Sequence, residues 1–109
     1  MRCFVETYNQ IEGFHKWENA PKECAYLRNR HRHLFVIRCS FDVQDEDREI
    51  EINMRQNEIE SFLRLQFGIP MELGGRSCEH LAHLLMERYS NLCKVTVLED
   101  NYGGATSTR

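Results

Sequence analysis

Between residues 31 and 43, HRHLFVIRCSFDV, the side chains alternate in character. The odd positions are His31, His33, Phe35, Ile37, Cys39, Phe41 and Val43, and the even ones include Arg32, Arg38, Ser40 and Asp42. A two-residue period sorts a β-strand into two faces, so the odd set is expected to face a core. Residues 3–8, CFVETY, are rich in strand formers, with a continuation open as far as His15. Residues 16–27, with Asn19, Ala20 and Pro21, read as a loop or irregular turn. After the acidic turn QDEDRE, Ile50, Ile52 and Met54 alternate with Glu51 and Asn53, which predicts another strand. The period changes near residue 55, where Ile59, Phe62 and Leu63, with Gln66 and Phe67 beyond them, follow helical spacing. GIPMELGGR, residues 68–76, breaks that helix. Ser77 can cap a second one, with an apolar stripe of Cys78, Leu81, Leu84, Leu85 and Tyr89. Residues 93–99, CKVTVLE, alternate again, with Val95, Val97 and Glu99 on one face, and residues 101–109 read as a loose tail. The order is β-β-β-α-α-β, or β-β-α-α-β-β with a long first strand. It predicts an α+β domain whose antiparallel four-stranded sheet is covered on one face by two helices.

Composition narrows this picture. With 109 residues, 41% of them hydrophobic, the chain supports one core, a single domain over residues 1–109, and is too small to wrap a deep pocket alone. No apolar run approaches the roughly 20 residues that span a bilayer. The opening MRCFVETYNQIEGFHKW lacks a continuous apolar stretch and carries Glu6 and Glu12, so a cytoplasmic protein without a membrane partner is expected. The net charge of −3 argues against general nucleic-acid binding. It hides an asymmetry: residues 1–38 hold seven Lys/Arg against four Asp/Glu, and the remainder seven against thirteen. The five cysteines form no CxxC pair and read as reduced thiols.

Several residues carry candidate chemistry. His31 and His33 point the same way from a strand, their Cβ atoms roughly 6–7 Å apart, which lets two imidazoles converge on one metal. The alternative is a hydrogen-bonded pair at a strand end. A metal needs a third ligand, for which His15 is the leading candidate. A carboxylate at Glu99 can pair with two adjacent N–H groups of a pterin or guanine ring. A solvent-exposed glutamate is the alternative there, and Asp100 beside it leaves the choice of carboxylate open. His80 and His83 lie one helical turn apart without the HExxH spacing and are assigned to the surface. Arg28, Arg30 and Arg32 form a solvated face or an oligomer contact, or else a site for an anionic ligand. Cys24 is a candidate nucleophile with no activating neighbour in sequence.

Together these features resemble the 6-pyruvoyltetrahydropterin synthase / 6-carboxytetrahydropterin synthase family of tunnelling-fold (T-fold) enzymes. Phe14-His15 looks like the family's first metal histidine, and His31-Arg32-His33 looks like its His-Gly-His. Ser77-Cys78-Glu79-His80-Leu81-Ala82 is similar to its Pro-Thr-Ser-Glu-x-Leu-Ala, and Val95-Thr-Val-Leu-Glu99 to the last strand that ends in the pterin-anchoring glutamate. The resemblance implies a Zn2+ site at His15, His31 and His33, a pterin- or purine-type ligand held by Glu99 with Arg32 nearby, and lyase chemistry on a dihydroneopterin triphosphate-like substrate. It also implies a homo-oligomer, a trimer or hexamer, with sites between subunits. The chain departs from the family pattern in three places. Leu27 stands where the family has its catalytic cysteine, which makes Cys24, three residues earlier, the substitute. FGIPMELGGRSC between the helices lacks the family's Asp-His pair, and Arg32 replaces glycine. A non-catalytic T-fold module that binds or sequesters a purine-, pterin- or nucleotide-like ligand is the alternative reading.

Overall fold

The two longest alternating runs become the two longest strands. β1 (Cys3–His15) and β2 (His31–Val43) pair antiparallel from Cys3↔Val43 to His15↔His31. The structure is a computed structural model that describes residues 1–109. The linker between these strands contains a short 3-10 segment, Lys22–Arg28, kinked at Cys24. There follow α1 (Ile52–Phe67), β3 (Met71–Glu72), α2 (Cys78–Arg88), β4 (Leu92–Glu99) and β5 (Gly103–Thr108). The sheet runs β3-β1-β2-β4-β5, and every pairing is antiparallel except β1 with β3. The α+β architecture matches the sequence pattern, with five strands in a mixed sheet where four antiparallel ones were expected.

Strand parity sets the core. Ile11 from β1, Phe35, Ile37, Cys39 and Phe41 from β2, and Val95 and Val97 from β4 are fully buried on one face. Against them pack Ile59 and Leu63 of α1 and Leu81, Ala82 and Leu85 of α2. Each large apolar side chain so buried contributes about 1.5–3 kcal/mol. The opposite face carries Glu6, Gln10, Glu12, Arg32 and Arg38, all exposed.

Two expectations fail for local reasons. Residues 50–54 do not form a strand: only Ile50 is buried, Ile52 and Met54 are exposed, and α1 starts at Ile52. The Glu51 carboxylate accepts the Met54 N–H at 3.0 Å, satisfying a donor that a helix start otherwise leaves bare. The helix ends at Gly68, whose φ of 92° suits a residue without Cβ and whose N–H donates to Arg64 O. The tail is also not loose, since residues 103–108 form β5, paired from Glu99↔Gly103 to Lys94↔Thr108. A Cβ at Gly104 would lie 1.8 Å from Val97 O, so only glycine lets β5 approach β4 there. Arg109 then donates to the Met86 and Tyr89 carbonyls at the end of α2. Ser77 caps α2 as expected. Its hydroxyl accepts the His80 N–H, and the His80 ring accepts the Ser77 N–H, which gives His80 a capping role.

Candidate metal centre

The last residue of β1 and the first of β2 face each other as His15↔His31, and His33 stands opposite Gly13. Equal parity puts all three imidazoles on the core side of the sheet, at its open end. Their ring centroids are 4.6 Å (His15–His31), 5.1 Å (His15–His33) and 4.9 Å (His31–His33) apart. Each Nδ1 has a partner outside the triad: Arg76 O at 2.9 Å for His15, Asn29 O at 2.8 Å for His31, and Asp100 Oδ2 at 2.6 Å for His33. Carbonyl and carboxylate oxygens accept, so Nδ1 is the donor in every ring. The three Nε2 atoms turn inward.

Inside the triad, His31 Nε2 and His33 Nε2 are buried with no hydrogen-bond partner. A buried polar atom left unpaired costs about 1–3 kcal/mol, a penalty that a cation at the centre would remove. One ligand atom from each histidine lies within 4.8 Å of the others. Zinc–nitrogen bonds are about 2.0–2.1 Å, so side-chain adjustment on the order of 1 Å closes three of them around one ion. Imidazole suits zinc, and three histidines leave a coordination position open to water or substrate. The residues present fit the ion.

Glu99 sits opposite Phe35 in the β2–β4 register. Its Oε2 lies 3.1 Å from His15 Nε2 and its Oε1 3.6 Å from His33 Nε2. The hydrogen bond to Glu99 raises the His15 pKa above 6.5 against the opposing effect of burial. The same bond holds the Glu99 carboxyl below 4.5. A raised histidine stabilises the fold below its unfolded value and loses that contribution as pH climbs through its folded one. A lowered carboxyl contributes above its unfolded value and loses it as pH falls through its folded one. The pair therefore stabilises the metal-free chain fully between the unfolded values of 4.5 and 6.5. Urea unfolding of wild type and Glu99→Gln should differ most in that window, with the gap closing on either side. A pH-independent gap would show that the pair does not titrate this way.

A cleft of about 850 Å³ opens over the histidines, with Glu99, Trp17, Leu27, Cys78 and Tyr102 among its walls. Two candidate residues are not brought to it. Cys24 lies half-buried in the 3-10 segment and outside the cleft walls, although Leu27, three residues on, is part of them. Arg32 has even parity, leaves the opposite face of the sheet and pairs with Glu12. The neighbouring arginines are also engaged: Arg30 pairs with Glu72 and lies over Phe14, and Arg28 donates to Ala20 O at 2.8 Å. Two residues of the site went unread in the sequence. Asp100, which the sequence offers only as an alternative carboxylate to Glu99, holds His33. Cys78, counted only as core, places Sγ 3.8 Å from Glu99 Oε2, and burial with the adjacent carboxylate pushes its thiol up to about 12. It keeps its proton.

No protein-family model matches the chain, and no curated protein sequence does. Among solved structures, the chain is similar to 6-pyruvoyl tetrahydropterin synthase from Caenorhabditis elegans. The TM-score is 0.67 at 15% identity, over 100% of this chain and 96% of that one. The likeness lies in backbone architecture: the chain has the T-fold of that synthase.

Proposed function

We propose that this chain holds a zinc ion with His15, His31 and His33 and seats a planar pterin- or purine-type ring beside it through Glu99. The observation that carries the reading is the inward convergence of three Nε2 atoms, two of them buried and unpaired. The fold shared with a pterin enzyme agrees with it. Zinc supplies a Lewis acid that polarises an oxygen of the bound molecule. Glu99, ionised at neutral pH, offers two acceptor oxygens to adjacent ring N–H groups, and charge-assisted bonds of this bidentate kind are strong and directional. Cys78, protonated, donates to Glu99 and holds the carboxylate in place. Trp17 and Leu27 keep water from the ring. The whole chain acts as one domain in the cytoplasm. The T-fold resemblance implies a trimer or hexamer, and an edge strand β5 whose Gly103 and Gly104 line the cleft agrees with sites between subunits.

A second reading is a zinc-dependent lyase acting on a dihydroneopterin triphosphate-like substrate. One observation favours it: the proton-bearing Cys78 thiol lies in the cleft wall against Glu99. Calorimetric titration of the zinc-loaded protein with neopterin and with guanosine tests the binding reading. Glu99→Gln is expected to weaken the ring by about 1.5–3 kcal/mol, roughly 10–150-fold. Equal affinity in wild type and Glu99→Gln would remove Glu99 from the reading. Incubation with dihydroneopterin triphosphate separates the two readings, since tight binding without product supports the module and product formation supports the lyase.

A further inference from the structure

We propose that Asp100 is a positioning residue that locks His33 in the tautomer whose Nε2 lone pair faces the three-histidine centre. The affinity of that centre for zinc then depends on Asp100, a consequence that rests on the metal reading above. Asp100 follows β4 in the turn to β5, with φ of 54° there and 58° at Asn101. Asp and Asn are among the few side chains at ease in this left-handed region. From that position Asp100 makes three bonds to β2. Its N–H donates to Leu34 O at 2.8 Å, its Oδ1 accepts the Leu34 N–H at 2.8 Å, and its Oδ2 accepts from His33 Nδ1 at 2.6 Å.

The three histidines differ in who holds them. His15 and His31 rest on backbone carbonyls, Arg76 O and Asn29 O, which no substitution of a side chain removes. At Nδ1, His33 alone rests on a side chain. A carboxylate accepts at both oxygens and so satisfies the Leu34 N–H and the His33 Nδ1–H together. An asparagine has one acceptor. With its oxygen on the Leu34 N–H, its NH2 faces His33 Nδ1 and can only donate. The ring must then carry its proton on Nε2, directed at the centre where a metal needs a lone pair. Removal of such outer partners of metal histidines typically weakens binding 10–100-fold.

Two-bond 1H–15N spectra of the histidine rings in the metal-free protein read the tautomer directly. Wild-type His33 is expected as Nδ1–H, and Asp100→Asn should shift it to Nε2–H while His15 and His31 keep theirs. Competition with a chromophoric chelator should show zinc bound 10–100-fold more weakly by Asp100→Asn. Asp100→Gly is the second variant: it suits a φ of 54° and removes both acceptors, so His33 should show mixed tautomers. An unchanged His33 tautomer in both variants, with wild-type zinc affinity, would overturn the proposal. If the wild-type chain binds no zinc, the metal reading falls, and the ring spectra then decide the role of Asp100 on their own.

Discussion

Protein purified without a polyhistidine tag is expected to carry about one zinc per chain, and the His31→Ala/His33→Ala variant essentially none. The magnitude follows from the ligand count. Four-ligand structural zinc sites bind with about 10–16 kcal/mol, so each ligand accounts for roughly 2.5–4 kcal/mol and two for roughly four to six orders of magnitude in affinity. Stability provides an independent reading of the same claim. Zinc at a hundred times its dissociation constant adds about 2.7 kcal/mol to a fold that binds it, so a chelator should lower the wild-type Tm. It should leave the double variant's Tm where it is. The competing idea, a pair of histidines kept for packing and hydrogen bonding, predicts the reverse: no metal, no response to chelator, and a loss of stability in the double variant. Elemental analysis with thermal unfolding, with and without chelator, distinguishes them.

The triad was largely legible because it rests on parity. Alternation in HRHLFVIRCSFDV fixes His31 and His33 on the buried face, and the pairing of His15 with His31 follows once β1 runs antiparallel to β2 for its full length. Glu99 came from the same rule applied to β4. Parity also explains why Arg32 misses the cleft, since the residue between two inward histidines must point outward. Cys24 misses it for another reason: the 3-10 segment with its kink directs Leu27 to the wall, and no periodicity in residues 16–27 reveals that turn.

The less legible parts depend on contacts distant in sequence. GGATST opens on two glycines and has no aromatic residue, with only Thr106 and Thr108 β-branched, yet β4 supplies the whole ladder and Gly104 the close approach. Ile50, Ile52 and Met54 alternate over too short a span to compete with a capped helix. Asp100 shows its role only when the β4–β5 turn is laid against Leu34. The run Asp-Asn-Tyr-Gly-Gly did carry a signal, because Asp and Asn before glycines mark a tight turn between strands. A hairpin at that turn implies β5, whereas the placement of Asp100 beside Leu34 depends on the register of β4 against β2.

Phe35→Ala is expected to cost about 3–5 kcal/mol, a large share of the roughly 5–15 kcal/mol that holds a domain of this size together. Phe35 is fully buried at the point where the core meets the three histidines. Its ring lies against Gly13, where an added Cβ would come within 3.1 Å of it, and it presents edge-to-face contacts to His15 at 5.3 Å and His33 at 5.7 Å. Gly13 has no side chain to fill the space the ring would vacate, so the cavity would persist and Tm should fall by roughly 10–20 °C. Phe35→Leu separates packing from support of the imidazoles. Leucine retains most of the apolar volume, for a cost of about 1–2 kcal/mol, but it lacks the flat edge on which both histidines rest. Aromatic contacts of this kind are worth about 0.5–1.5 kcal/mol beyond the area they bury, so zinc affinity in Phe35→Leu should fall about 3–10-fold in a chain that still folds. Wild-type affinity in Phe35→Leu would mean that the outer hydrogen bonds to Arg76, Asn29 and Asp100 alone orient the histidines. A fall in affinity would make Phe35 the floor of the site, through which packing of the core sets the geometry of its metal ligands.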